Sequence, residues 1–355
     1  MAVRAGGSAQ VTESEGTRAP APRAPLRRWL SSSAFWVLIV DIVLILVFGA
    51  LSEQHSFLTW ENERALALNA TEALLLALGL GMVMGAGTFD LSLGANLVLS
   101  SVVGAKVIAA VSGVSPDGIG TPQHVLVAIL AGLLACLIVG ALFGLVNGLV
   151  IEYVKVNSLI ATLGTLGVGS GIALLITGGS DVAGMPEQMQ SDFALRSIAN
   201  IPLPAFVALL LAFGLWALLR FFRYGRRTLA IGSSRTAAER SGIRVRRHVV
   251  SLTILCGAFA GFAGFVDLAH FSATTVQGHA NDALAAITAV VIGGTLLEGG
   301  RVNVWGTVAG TALTVILAGG LVAIGVKPFW QLIAVGVVLI VAVAIDRFRR
   351  ERDEA

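Results

Sequence analysis

The chain has 355 residues, of which 56% are hydrophobic and only 13% charged, and its mean hydropathy is +0.86. A soluble domain of this size carries roughly a quarter charged residues, so a water-solvated globule is excluded and a bilayer must be the solvent. The net charge of +3 and pI near 9.2 suggest nucleic acid at first sight, but the placement of the arginines points to membrane orientation instead.

In chain order, residues 1–33 are rich in Ala, Gly, Pro, Ser and Arg without periodicity and read as a disordered cytoplasmic tail. The first apolar run, Ala34–Leu51, is followed by Ser52-Glu53-Gln54 rather than a cleavage site, so it is kept as a span. About ten spans are predicted, near 34–51, 66–85, 91–111, 124–150, 158–177, 202–222, 249–271, 283–297, 303–324 and 328–345, with the eighth short. Together they form an all-α polytopic transmembrane domain over 34–346, followed by a short tail, 347–355. Trp29, Trp60, Trp305 and Trp330 fall near span ends and read as interfacial anchors.

Basic residues set the expected orientation. The tail 1–33 has five Arg against two Glu, and segment 220–247 has nine Arg against Glu239 alone. Six spans separate the two segments, so both lie on one side, the cytoplasm. Ten spans return the carboxyl end there too. Gly140, Gly144 and Gly148 share one helix face, and Gly257–Gly261 and Gly306–Gly310 repeat the spacing. Such faces let helices approach closely where lipid supplies no hydrophobic drive between them.

The chemistry of an enzyme is missing. No Gly-x-x-x-x-Gly-Lys-Ser/Thr, His-Glu-x-x-His, Cys-x-x-Cys or Gly-x-Ser-x-Gly occurs. No catalytic residue, metal ligand or cofactor is therefore assigned to this chain. Cys136 and Cys256 sit in apolar runs and read as small buried residues. Asn69-Ala70-Thr71 fits a glycosylation sequon by chance.

The segment 223–247 is the most informative. It holds Gly225-Arg226-Arg227, Ala230-Ile231-Gly232-Ser233, and Ala237-Ala238-Glu239-Arg240-Ser241-Gly242-Ile243. The pattern predicts a turn, a short helix with small residues on one face, then a glycine stop. A basic loop that only fixes topology is the competing reading. The stretch resembles the cytoplasmic coupling loop of ABC-importer permeases, with Thr236-Ala237-Ala238 in place of their Glu-Ala-Ala and Gly242 at matching spacing. Within those permeases it is most similar to the ribose/xylose/galactose type. Gly87-Thr88-Phe89-Asp90-Leu91-Ser92-Leu93-Gly94, Leu159–Thr165 with Thr177-Gly178-Gly179, and Ala289–Thr295 with Gly299-Gly300 resemble further motifs of that group, in order. Two departures concern the substrate: Asn281-Asp282-Ala283-Leu284 stands where the group has Gly-Tyr-Glu-Leu, and Arg301 stands where it often has Gly or Lys.

The resemblance implies a multi-pass subunit of the bacterial cytoplasmic (inner) membrane that imports a monosaccharide or sugar-like solute. It implies a second permease subunit, identical or not, two ATP-binding-cassette domains that hold ATP and Mg, and an extracytoplasmic solute-binding protein. The ATPase would dock on Gly232, Ala237, Ala238, Gly242 and Ile243. Permeases for nucleosides or branched-chain amino acids are the nearer alternatives, and an ion-coupled secondary transporter the alternative of another class.

Among polar residues inside spans, Asp90 opens an Asp-x-Ser sequence suited to an N-cap and is expected to accept amide hydrogens of the third span. Asn96, Asn147 and Gln277 are amides of a kind suited to a sugar path. Asp41, and Asp267 near His270, are expected to face protein or a wet cavity. Asp90, Ser92, Asn96, Asn147 and Asp267 form the candidate set for the translocation path or its structural support.

Overall fold

The computed structural model describes residues 33–113 and 120–353. The predicted tail, apart from Ser33, and Trp29 lie outside the described residues. The chain is helical nearly throughout: α1 Ser33–Leu51, α2 Trp60–Gly85, α3 Leu93–Ser112, α4 Val125–Leu149, α5 Ser158–Thr177, α6 Leu203–Phe221, α7 Arg223–Ser233, α8 Arg235–Arg240, α9 Val245–Phe271, α10 Asp282–Ile292, α11 Val304–Ala323 and α12 Pro328–Asp353. Among the described residues eight helices, α1 to α6, α9 and α11, are long and apolar enough to cross a membrane.

The helices overrun the predicted spans at polar ends. Thus α2 begins at Trp60 rather than 66, because Glu61 and Glu63 in its first turn complement the positive end of the helix. Likewise α9 begins at Val245 and α12 runs to Asp353. An apolar window marks only the part of a helix that lies in hydrocarbon. The eighth predicted span is corrected: α10 has 11 residues, about 16 Å of helix against the ~30 Å of a bilayer core. The linker 272–281 folds back into the bundle, placing the His279 carbonyl against Gly94 in the first turn of α3. A two-residue antiparallel ribbon, β1 Ser197–Ile198 and β2 Ile201–Pro202, was not foreseen. Its turn uses Ala199 and Asn200 at positive φ.

The helix faces reverse those of a soluble protein. Leu126, Leu130, Leu134, Ile138, Leu142 and Val146 of α4 are exposed at four-residue spacing, whereas Ala128, Gly132, Cys136, Gly140, Gly144 and Gly148 are buried at the same spacing. Bulky groups face lipid and small ones face protein because only contact distance favours association there. A Cβ on Gly144 would meet the Thr253 carbonyl, and one on Gly257 the Gly140 carbonyl, so α4 and α9 touch backbone to backbone. Gly306 and Gly310 bring α11 equally close to Gly293 and Ala289 at the end of α10. At the centre lies α2, packed by α9, α10, α11 and α6, while α3 packs among α4, α5 and α9.

Candidate functional site

Two groups of residues stand out, one at the bundle end that carries the arginine-rich segment and one inside the bundle.

At the bundle end, the predicted turn and short helix is two helices, α7 and α8, meeting at Ser234. The Ser234 hydroxyl accepts the Ala237 amide and so caps α8. Gly242 closes the motif at φ +83°, a left-handed conformation that favours glycine. The five expected docking residues divide. Ala237 and Gly242 are exposed and Ile243 half-buried, while Ala238 is buried. Gly232 faces inward too: a Cβ there would strike the Gly85 carbonyl and the Gly300 amide, and Gly300 itself donates to the Gly85 oxygen at 3.0 Å. Three glycine stretches far apart in sequence thus meet where α7 crosses the end of α2. Gly232 is therefore a close-packing residue of α7, and the outer surface belongs to Thr236, Ala237, Glu239, Arg240 and Gly242.

Side chains fasten this layer to the spans. Thr228 of α7 lies 2.9 Å from His248 of α9, and the hydroxyls of Tyr224 and Ser251 are 2.8 Å apart. Glu152, in the wide last turn of α4 and 1% exposed, receives both terminal nitrogens of Arg235 from α8. Hydrogen bonds to Glu152 push the Arg235 guanidinium above its already high ordinary pKa, against the opposing effect of burial. Sequence reasoning missed Glu152, although an acid in the apolar stretch Val150–Val154 was visible there.

Inside the bundle, Asp90, Ser92 and Asn147 come together. Asp90 accepts the amide and hydroxyl of Ser92, and Asn147 donates to Asp90 at 3.3 Å and to Ser92 at 2.8 Å. The expected cap is corrected by two positions: the helix starts after Ser92, so Asp90 binds the capping residue itself and not the first-turn amides. One turn along, Asn96 donates to the carbonyls of Gly140 and Gly257 at 3.3 and 3.4 Å, where α3, α4 and α9 meet. All four are at most 2% exposed. They brace the packing within this chain. Asp41 is buried on α1, and both its oxygens lack a hydrogen-bond partner among the described residues.

Asp267 belongs to a separate cluster. It accepts Thr275 at 3.0 Å and lies 3.2 Å from His279 Nε2, whose Nδ1 is 2.6 Å from Asp282. His270, expected near Asp267, instead meets Glu72 of α2 at 3.2 Å. A cavity of about 300 Å³ adjoins the cluster, lined by Asn69, Glu72, Phe271, Thr275, His279 and Asp282 among others. Gln277 lines a smaller one, about 110 Å³, on the other side of His279. Glu72 went unnoticed because Glu61, Glu63 and Arg64 precede it and make the start of α2 look like a polar flank. An acid six residues into the predicted span 66–85 was the available signal.

The arrangement offers a lipid-facing bundle, an exposed helical layer fastened to the spans, and a cavity with polar groups in its wall. Comparison with known proteins agrees. The chain is 31% identical over 319 residues to the D-allose transport system permease protein of Escherichia coli, covering 90% of this chain and 92% of that one. It is 34% identical over 322 residues to the galactose/methyl galactoside import permease protein of Haemophilus influenzae, covering 88% and 94%. With the ribose import permease protein of Bacillus subtilis it shares 38% identity over 285 residues, covering 80% and 83%. No solved structure matches the chain. Residues 65–343 match the family described as branched-chain amino acid transport system / permease component, and the chain, a multi-pass membrane protein, belongs to that family of permease subunits.

Proposed function

We propose that the chain is the membrane-spanning subunit of an ATP-driven importer for a monosaccharide or sugar-like solute in the bacterial cytoplasmic membrane. The observation that carries this reading is similarity to allose, galactose and ribose permeases along 80–90% of the chain. Two such subunits pair, two separate ATP-binding subunits seat against the outer surface of α8, and an external binding protein delivers the solute. ATP and Mg belong to the partners. The exposed Thr236–Gly242 surface supports this division of labour, because it is tied through Gly232, Arg235 and Thr228 to α2, α4 and α9. A partner that grips α8 differently in its two nucleotide states then favours different arrangements of those spans, a population shift set by differential affinity.

The test is reconstitution with the ATP-binding partner and binding protein in proteoliposomes, measuring uptake of labelled ribose, galactose and allose. Uptake that requires hydrolysable ATP is expected. Uptake by the chain alone, driven by an ion gradient, would instead make it a secondary transporter.

A further inference from the structure

The cavity beside His279 has features that general packing does not require. Its volume of about 300 Å³ stands at the lower end of cavities that hold small organic ligands. Its walls come from three places: Asn69, Glu72, Ala73 and Leu76 of α2, Phe271 at the end of α9, and Thr275 to Ala285 of the returning linker and α10. Acceptors dominate the polar part. Glu72 and Asp282 present carboxylates, Asn69 an amide and His279 an imidazole, with Asp267 directly behind His279. No lysine or arginine is among the lining residues. The nearest basic residue outward along α2, Arg64, is eight positions from Glu72, about 12 Å of helix away. Leu76, Ala73, Ala285 and the Phe271 ring supply apolar contact.

Sugar hydroxyls donate hydrogen bonds to carboxylates, and charge-assisted bonds of this kind are the stronger ones. The C–H face of a sugar ring packs on an aromatic side chain. A carboxylate or phosphate on the solute meets three acids, Glu72, Asp267 and Asp282, against only two imidazoles, His270 and His279. Because Glu72 and Asp267 are buried, that repulsion is larger than in bulk water. We propose that this cavity is a transit site for the solute, accepting uncharged or amino-bearing polyhydroxylated molecules and rejecting sugar acids and sugar phosphates. This rests on the importer reading and adds a selectivity that the permease imposes after the binding protein has let go.

The two native cysteines are fully buried, so a rim cysteine reports alone. Gly278 is exposed, and a Cβ there makes ordinary contact with Thr275. In the reconstituted complex carrying Gly278→Cys, the rate of maleimide labelling is measured with D-galactose, D-ribose, D-allose, D-glucosamine or D-galacturonate present. Asn69→Cys serves as a second reporter should the first misfold. Labelling is expected to slow severalfold with a transported neutral sugar or with the amino sugar, and not with galacturonate. Adding Glu72→Gln and Asp282→Asn should let galacturonate protect as well. Unchanged labelling with every sugar while ATP-driven uptake persists, or equal protection by galacturonate in the parent complex, would overturn the proposal and leave the importer reading standing. A complex that transports none of the sugars would overturn the importer reading and this inference with it.

Discussion

Asn147 shows how a single buried amide supports this fold. It bridges the linker before α3 to α4 by donating to Asp90 and Ser92, groups that cannot reach water. Removing one partner of a buried polar pair costs about 1–3 kcal/mol, more where a charge is left. Asn147→Ala is therefore expected to lower the unfolding free energy in detergent by about that much, read as a drop in Tm, and an unchanged Tm would count against the bridge. Asp90, Ser92 and Asn147 were all legible as polar residues in apolar runs. Their direction was not, because facing a path and facing a neighbouring helix leave the same trace in sequence. His279, Glu152 and Glu72 escaped for a related reason: each gains its meaning from a partner 12, 83 or 198 residues away.

At the scale of elements, close packing of α4 on α9 separates two classes of glycine. Gly144 has no room for a methyl group, whereas Gly214 on α6 has nothing within 4 Å. Gly144→Ala should destabilise by about 1–3 kcal/mol through overpacking, and Gly214→Ala should cost nothing. Thermal unfolding of both variants in one detergent decides. The four-residue glycine spacing made the α4 face visible in sequence, although Gly164, Gly167 and Gly171 on α5 look similar and meet nothing within 4 Å among the described residues. Spacing shows that a face is small and does not show what covers it.

Arg235 and Glu152 form a strut between α8 and the wide turn Val150–Val154 that follows α4. If Arg235 and Glu152 transmit force, Arg235→Glu should reduce solute-stimulated ATP hydrolysis severalfold, and adding Glu152→Arg should recover part of it. A solvent-exposed ion pair is worth little, but here Glu152 is 1% exposed, and losing Arg235 leaves its buried carboxylate only the more distant Lys155, at 3.8 Å. Equal ATPase activity in the single and paired variants would make the contact incidental.

The whole molecule is organised by where charge is allowed. Nine arginines gather in residues 220–247, and the structure turns that segment into α7, α8 and the start of α9, outside the apolar core. Span order was legible because hydropathy marks hydrocarbon directly, but about ten spans were expected and eight helices among the described residues are long and apolar enough to cross. The eighth span was legible as short but its end was not, since the run 283–297 is apolar throughout and only the turn at Gly293 and Gly294 stops α10 at 11 residues. Three helices that extend past their apolar stretch, α2, α9 and α12, were underestimated for the complementary reason.

The central claim is that α8 and its flanks form the inward surface on which an ATP-binding partner acts. Thr236 is exposed, and both native cysteines are buried. A Thr236→Cys variant should therefore stay unlabelled by a membrane-impermeant maleimide in intact cells and label readily in inverted vesicles. In the latter it should be protected when the ATP-binding subunit is co-assembled. Labelling from outside intact cells would contradict the account.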